Sequence, residues 1–268
     1  NIKLLIVDEA QDMCNDDYSI IEFLKSRLDI HVILVGDGNQ NIYETLRESS
    51  NEYLYNHKGK TYKLVKNYRS TNEIIEFSKY YRIDDNEMIS ADSLKGDKPV
   101  YITSNHWDNT FKDMLKKVNA LIDLGKCYSD ISIGVNTKKH GRKLSNFLKK
   151  NKINVVNFYD NNDTKTNQER DGIKIYTYWR MKGLENKIVI LHNFSTWITK
   201  DEDGRWVDYE ESLLKRIQFV ACTRAKETLY IYFDRFSDKK SRFGGFIPNK
   251  ECSIIKTIPK ELYDIEEI

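Results

Sequence analysis

Cysteine, proline and long apolar runs are all scarce in this sequence of 268 residues, and each shortage excludes a class of protein. The four cysteines are widely separated, with no Cys-x-x-Cys pair and no histidine at zinc-ligand spacing, so we expect neither a zinc centre nor a disulfide framework. Free thiols are typical of cytosolic proteins, which predicts a cytoplasmic location. With only three prolines, Pro-rich low-complexity segments are also absent. No apolar run approaches the roughly 20 residues that cross a bilayer, so we expect no membrane partner.

The formal net charge of +2 is almost balanced, so charge alone neither demands nor excludes a polyanionic partner. The length allows one or two α/β domains. The first residue, Asn1, leads directly into an apolar strand, and this predicts that the sequence is part of a longer protein.

Residues 1–66 contain a strand, helix, strand pattern. Apolar runs predict strands at Ile2 to Val7 and His31 to Val35, and apolar spacing predicts a helix from Tyr18 to Leu28. Parallel strands joined by a helix end at the same edge of a sheet, where open α/β sheets bind ligands. We therefore expect Asp8 and the pair Gly36-Asp37, which follow these strands, to share a site.

A second α/β series occupies residues 67–268, after a boundary predicted near Val65 to Asn67. A helix is expected from Thr71 to about Tyr81, followed by a polar loop from Asp84 to Gly96. Strands are then predicted at Val100 to Thr103, Ile131 to Val135, Asn154 to Phe158, Ile173 to Thr177, Lys187 to Leu191 and Leu229 to Phe233, and helices at Thr110 to Leu124, His140 to Asn151 and Tyr209 to Ala225. This alternation predicts a second parallel sheet, and residues 237–268 carry no recognisable pattern.

The strand that ends at Val7 is followed by two adjacent carboxylates, Asp8 and Glu9. Asp8 is suited to Mg²⁺, because this hard ion prefers oxygen ligands. Glu9 is suited to deprotonate the water that attacks a γ-phosphate, provided that a nucleotide lies across the strand ends. The alternative is a solvated acidic turn after a buried strand.

Five segments then follow one another along the chain. They are Asp8-Glu9-Ala10-Gln11-Asp12, Val35 to Tyr43, Asn67-Tyr68-Arg69-Ser70, Thr177 to Glu185, and Val220 to Glu227. In this order they resemble the motifs of superfamily 1 helicases related to UvrD and Rep. The resemblance covers nearly the whole chain and implies an α/β fold with RecA-like parallel sheets of the P-loop NTPase type. It implies an incomplete first domain over residues 1–66 and a complete second domain over residues 67–268.

The resemblance also implies an ATP-dependent enzyme that uses Mg²⁺. It assigns Asp8 to the metal, Glu9 to general-base catalysis and Gln40 to sensing the γ-phosphate. A turn-stabilising amide is the alternative for Gln40.

Further nucleotide contacts are implied in the second domain. Arg69 and Arg224 resemble two arginines that this family presents to the nucleotide, and their planar charged groups match phosphate oxygens. Gly183 and Glu185 are implied at the ribose or nucleotide edge. Surface salt bridges and a solvated carboxylate are the alternatives.

Four residues are implied to contact nucleic acid. Tyr43 matches an aromatic residue that stacks on a base, and the alternative is a tyrosine packed under the turn. Thr177 and Lys182 match contacts to the phosphate backbone. Trp179 stands where a histidine is common and offers either a stacking surface or a packing residue. The implied partner is single-stranded or partly duplex DNA, translocated 3′ to 5′. RNA is not excluded, and a nuclease or another protein is a further partner.

Departures from the family pattern leave a second function open. No Gly-x-x-x-x-Gly-Lys-Ser/Thr phosphate loop occurs in these residues, so they are expected to hydrolyse ATP poorly by themselves. Thr45 and Leu46 replace an aromatic residue and an arginine, and only a short loop, residues 159–172, stands where relatives carry an accessory subdomain. The alternative is a non-hydrolysing module that binds nucleic acid or protein.

Overall fold

The computed structural model describes residues 2–43, 59–84, 88–90, 94–159, 171–195, 198–200, 206–208, 210–240 and 246–268. The chain divides into two compact units. Unit 1 comprises Asn1–Leu64 with Ile83–Asp85, and unit 2 comprises Val65–Arg82 with Asn86–Ile268. None of the helices in the described ranges has the length and apolar character that a membrane span requires.

Unit 1 contains a two-stranded parallel sheet. Strands β1 (Leu4–Val7) and β2 (His31–Leu34) pair along their whole length, and helix α1 (Asn15–Arg27) connects them. The predicted strand, helix, strand pattern is confirmed. The helix begins earlier than its apolar spacing indicates, because the Asp17 carboxylate accepts a hydrogen bond from the Cys14 backbone N–H (3.0 Å) and caps the first turn.

Unit 2 contains the remaining elements. In chain order its strands are β3 (Lys66–Asn67), β4 (Ile89–Ser90), β5 (Val100–Ser104), β6 (Ile131–Val135), β7 (Val155–Asn157), β8 (Ile173–Thr177), β9 (Asn186–His192), β10 (Ile198–Lys200), β11 (Trp206–Asp208), β12 (Ala225–Asp234), β13 (Phe236–Lys240), β14 (Phe246–Pro248) and β15 (Asp264–Glu267). Its helices are α2 (Asn72–Ser78), α3 (Trp107–Asp123), α4 (Lys138–Lys150) and α5 (Glu211–Cys222).

Seven of these strands form one sheet in the order β15-β5-β12-β9-β6-β8-β7, and every neighbouring pair is parallel. The α/β class with parallel sheets is thereby confirmed. Short two-stranded sheets join β3 to β4 in parallel and join β10 to β11 and β13 to β14 antiparallel. The segment from Asp84 to Gly96, predicted to be only a loop, therefore contributes the short strand β4.

The centre of the large sheet is apolar on both faces. Every residue of β6 is buried, as is every residue of β9 except Lys187, which is usual for strands that helices cover on both sides. A side chain at Gly134 of β6 would place its Cβ 2.6 Å from the Met181 sulfur and 2.9 Å from the Tyr178 ring. Glycine therefore permits the segment that follows β8 to lie directly against β6.

The last strand of the sheet comes from the C-terminal residues. β15 pairs in parallel with β5, and Arg235 Nη1 donates to the Glu267 carboxylate (2.5 Å). The prediction that the segment Leu229 to Phe233 is the last strand is wrong: it is part of β12, and three strands follow. The sequence of β15, Asp-Ile-Glu-Glu, lacks an apolar run, because an edge strand buries only part of its surface.

Candidate functional site

In unit 1, Asp8 and Glu9 stand directly after β1, and both side chains are exposed. The Glu9 backbone N–H donates to Asp8 Oδ1 (2.8 Å). Glu9 has a φ of 52°, a left-handed conformation that is uncommon for residues other than glycine and that clusters at functional sites. The turn ends where the Ala10 N–H donates to the Val35 carbonyl (2.9 Å). Both carboxylates are thus held at the carboxyl end of β1.

Gln11 connects this turn to the segment after β2. Its Nε2 donates to Glu9 Oε2 (2.5 Å), and its Oε1 accepts from the Asp37 backbone N–H (3.1 Å). The side chain is buried, at 1% exposure, so the amide is fixed in place. Sequence reasoning did not select Gln11 as a site residue, although its position two residues after Glu9 in the motif was an available signal.

Gln40 belongs to the short turn Gly38–Gln40 that follows β2. Asp37 organises this turn: its Oδ1 accepts from the backbone and side-chain nitrogens of Asn39 (both 3.0 Å), and its Oδ2 accepts from Gln40 Nε2 (3.1 Å). A continuous hydrogen-bonded chain therefore runs from Glu9 through Gln11 and Asp37 to Gln40.

The Asp8 carboxylate suits the implied Mg²⁺. In the described residues its single hydrogen bond engages Oδ1, which leaves Oδ2 available as a hard oxygen ligand. No cluster of three or more His, Cys, Asp or Glu side chains in the described part of the chain could hold a metal by itself. Mg²⁺ commonly needs only one or two carboxylates, together with water and substrate phosphates.

In unit 2, Arg69 is displayed on an exposed turn before α2. The Asn67 side-chain oxygen accepts from the backbone N–H groups of Arg69 (2.8 Å) and Ser70 (3.1 Å), which fixes the turn. Ser70 Oγ donates to the Ala225 carbonyl (2.5 Å), and the Thr71 N–H donates to the Lys226 carbonyl (3.0 Å). The turn that carries Arg69 is thereby attached to the first residues of β12.

Glu185 lies between two cations. Its carboxylate accepts from Arg69 Nε (2.8 Å) and also from Lys226 Nζ. The hydrogen bond from Lys226, followed by the charges of Lys226 and Arg69, lowers the pKa of Glu185 against the opposing effect of its partial burial. Sequence reasoning did not select Lys226, and the available signal was a cation two residues after Arg224 in the same motif.

Arg224 is placed differently from Arg69, because only 2% of its surface is exposed. Its Nε donates to the Val220 carbonyl (3.0 Å), and its Nη1 donates to the Leu184 carbonyl (3.3 Å). The guanidinium thus joins the end of α5 to the residue before Glu185. The structure brings Arg69 and Glu185 into contact, whereas Arg224 is bonded to backbone carbonyls.

The segment that follows β8 carries three of the predicted nucleic-acid contacts. Thr177 ends β8 opposite Val135 and is buried, while Trp179 and Lys182 are half-buried. Tyr178 anchors the segment, because its buried hydroxyl donates to the His192 carbonyl (3.0 Å).

Gly183 turns the chain into β9 with a φ of 76°, a conformation that favours glycine. The eight residues 178–185 therefore lead from the carboxyl edge of the sheet at Thr177 back to its amino edge at Asn186. Tyr43, the fourth predicted nucleic-acid contact, is half-buried in unit 1, and Thr45 and Leu46 lie outside the described residues.

A basic surface, missed by sequence reasoning, begins at the same carboxyl edge. Helix α4 starts just after Val135, and Thr137 Oγ1 caps it by accepting from the His140 N–H (3.2 Å). Its first two turns carry Lys138, Lys139, Arg142 and Lys143, and the helix has no acidic residue. Helix N-termini favour negative charge, so a group of cations there adds to the positive potential of the helix start. The sequence signal was the run Lys-Lys-His-Gly-Arg-Lys.

Comparison with known proteins gives two consecutive family matches. The UvrD/REP helicase N-terminal domain matches residues 1–63, and the UvrD-like helicase C-terminal domain matches residues 62–165. Over 242 residues, the chain is 31% identical to a protein named "putative ATP-dependent DNA helicase" from Acanthamoeba polyphaga mimivirus, covering 86% of this chain and 34% of that one. Over 139 residues it is 30% identical to a "probable DNA helicase II homolog" from Mycoplasma capricolum, covering 48% and 19%. The chain therefore spans about a third of the first relative and about a fifth of the second.

A solved structure supports the fold. The C-terminal domain of a possible DNA helicase from Lactobacillus plantarum WCFS1 matches with a TM-score of 0.52 and 17% identity, over 75% of this chain and 99% of that one. The likeness concerns the fold alone. Because the two family matches follow one another over residues 1–165 and both relatives carry the names of DNA helicases, the chain belongs to the UvrD/Rep helicase family.

Proposed function

We propose that the full-length protein is an ATP-driven motor that moves 3′ to 5′ along single-stranded or partly duplex DNA. The observation that carries this proposal is the hydrogen-bonded chain from Glu9 through Gln11 and Asp37 to Gln40. It joins a carboxylate suited to general-base catalysis to an amide suited to bond a phosphate oxygen.

Unit 1 supplies the groups for hydrolysis. Asp8 would hold Mg²⁺, and the ion would supply positive charge to neutralise the phosphate oxygens of ATP. Glu9 accepts a proton from the attacking water, and the Gln11 hydrogen bond orients its carboxylate. Gln40 bonds the γ-phosphate, and the Asp37 carboxylate holds the Gln40 amide in place.

Unit 2 supplies cationic groups and the contacts to DNA. The permanent positive charge of Arg69 is suited to bind nucleotide phosphates, and Gly183 and Glu185 are suited to the ribose or the nucleotide edge. Arg224 supports this region from within, through its bond to the Leu184 carbonyl.

The DNA contacts lie at the carboxyl edge of the large sheet. Thr177, Trp179 and Lys182 contact the DNA strand. The basic first half of α4 binds the DNA phosphates without reading the base sequence. Tyr43 of unit 1 stacks on a base.

The test is a DNA-stimulated ATPase assay of the full-length protein and its Glu9→Gln variant. Removing a general base typically lowers turnover about 10²- to 10⁴-fold, and we expect ATP binding to persist. Near-normal turnover in the variant would contradict the assignment of Glu9.

A second candidate function is a non-hydrolysing module that binds DNA, and the burial of Arg224 favours it. The guanidinium is buried and donates to the carbonyls of Val220 and Leu184 and to the Thr223 hydroxyl, so a bound phosphate would compete with these partners. This function predicts DNA binding by the full-length wild-type protein without ATP turnover, so the same assay separates the two candidates.

A further inference from the structure

The carboxylate of Glu185 is shared by two cations that come from distant parts of the sequence. Arg69 lies before α2, and Lys226 is the second residue of β12. Both bond Glu185, Arg69 through Nε to Oε2 and Lys226 through Nζ to Oε1. Each carboxylate oxygen therefore has its own cationic partner.

The way in which Arg69 is held leaves part of its guanidinium available. Glu185 engages Nε, and no other hydrogen bond joins the Arg69 side chain to residues that the structure describes. The two terminal nitrogens are the pair that forms fork-like hydrogen bonds with phosphate or carboxylate. An arginine fixed through Nε thus retains its usual anion-binding end.

The backbone around the three residues is well fixed. Ala225 pairs with Asn186, so the residues next to them, Lys226 and Glu185, belong to adjacent strand starts. The Thr71 N–H donates to the Lys226 carbonyl (3.0 Å), which brings the Arg69 turn to the same place. The three charges lie on a rigid frame at the amino edge of the sheet.

The ion pairs have little value for the stability of the fold. The side chains of Arg69, Glu185 and Lys226 are 38%, 42% and 39% exposed, and ion pairs with this exposure contribute little to folding. Their arrangement instead determines where the Arg69 guanidinium lies.

We propose that Glu185 and Lys226 are positioning residues that act through Arg69. Glu185 holds the guanidinium by Nε so that its terminal nitrogens meet the phosphate groups of a nucleotide, and Lys226 holds Glu185. This inference rests on the proposed ATPase function. It assigns Lys226 a role and gives Glu185 one different from the ribose or nucleotide contact that the family resemblance implies.

The experiment is steady-state ATPase kinetics on the full-length protein with four variants: Lys226→Met, Lys226→Arg, Arg69→Ala, and Arg69→Ala combined with Lys226→Met. Small misplacements of a reacting group cost up to about 10²-fold in rate, so we expect Lys226→Met to lower kcat/KM about 10- to 100-fold. Lys226→Arg keeps the charge and should restore most of this loss. In the Arg69→Ala background, Lys226→Met should have no further effect, because the residue it positions is gone.

Lys126→Met is the matched control. Lys126 forms a comparable half-exposed ion pair with Glu227 (2.9 Å), the residue next to Lys226. We expect the kcat/KM of Lys126→Met to equal that of the wild type. We also expect the thermal unfolding midpoint of Lys226→Met to stay close to the wild-type value.

The outcomes separate this inference from the proposed function. If Lys226→Met lowered kcat/KM by the same factor in the wild type and in Arg69→Ala, the inference would be overturned and the proposed function would stand. An unchanged kcat/KM in Lys226→Met would have the same meaning. Unchanged activity in Arg69→Ala would overturn the inference and the role proposed for Arg69. A wild-type protein without ATP turnover would overturn both the inference and the proposed function.

Discussion

The buried amide of Gln11 joins Glu9 to Asp37, donating to the carboxylate of the first and accepting from the backbone N–H of the second. Glu9 follows β1 and Asp37 follows β2, so a single side chain connects the ends of two parallel strands. The connection makes the orientation of an exposed carboxylate depend on a residue that solvent does not reach.

Replacing Gln11 with glutamate should therefore impair ATP turnover in the full-length protein. The new carboxylate cannot donate to Glu9 and would repel it, so the proposed base loses its orientation. We expect kcat to fall about 10- to 100-fold, by the usual cost of small misplacements. ATPase kinetics check this, with the exposed Glu22→Gln on α1 as the control. An unchanged kcat in Gln11→Glu would show that this bond does not orient the base.

Neutralising the start of α4 should reduce the salt dependence of DNA binding. The double variant replaces both Lys138 and Lys139 with glutamine. Each lost phosphate contact should make the plot of log K against log salt concentration less steep by about 0.7 on single strands. Fluorescence anisotropy across a salt series measures the slope. The matched control replaces Lys149 and Lys150, which are exposed at the opposite end of the same helix. Equal slopes in both double variants would exclude the first turn as a specific contact.

Gly134→Ala should destabilise unit 2. Its new Cβ would meet the Met181 sulfur at 2.6 Å and the Tyr178 ring at 2.9 Å, and overpacking of this kind costs about 1 to 3 kcal/mol. Urea denaturation of the full-length protein gives the change in unfolding free energy. Ser132→Ala on the same buried strand adds no atoms and serves as the control. Equal stability of the two variants would mean that the segment after β8 moves aside freely.

The charge of Glu185 should persist to a pH below its ordinary pKa of 4.5, because Lys226 lowers that pKa in the folded protein. The small stabilisation that this exposed ion pair gives to the folded state is therefore fully present above the ordinary pKa, and it is lost as the pH falls through the lower pKa of the folded state. Carboxyl ¹³C titration of the folded protein measures the shift. Lys226→Met should move the pKa upward, whereas Lys126→Met should leave it unchanged. A Glu185 pKa at or above 4.5 in the wild type would contradict the expected ion pair.

The sequence predicts the buried strands of this fold well, because such strands read as apolar runs. Ile131 to Val135 and Ile173 to Thr177 are strands with the predicted bounds. Strand β15 has three acidic residues out of four and gives no such signal. An edge strand of this kind is recognised mainly from the neighbouring strand with which it pairs, here β5.

The order of the motifs predicts which residues belong to the candidate site, but it does not predict which side chains they bond. Side-chain hydrogen bonds between residues distant in sequence, such as Arg69 with Glu185, follow from the folded arrangement. The burial of Arg224 is unexpected for the same reason, since arginine is usually exposed. Hydrogen bonds to the carbonyls of Val220 and Leu184 and to the Thr223 hydroxyl help to make its interior position favourable.

Strand β15 also covers one edge of the large sheet. Its carboxylates at Asp264, Glu266 and Glu267 form the outer border of the sheet, where negative charge discourages strand-to-strand aggregation. Removing residues 264–268 would leave the hydrogen-bonding edge of β5, with the sequence Val-Tyr-Ile-Thr-Ser, as the new border. A β-branched, uncharged border is a template for intermolecular pairing, so the loss of β15 would replace a protected edge with one that promotes aggregation.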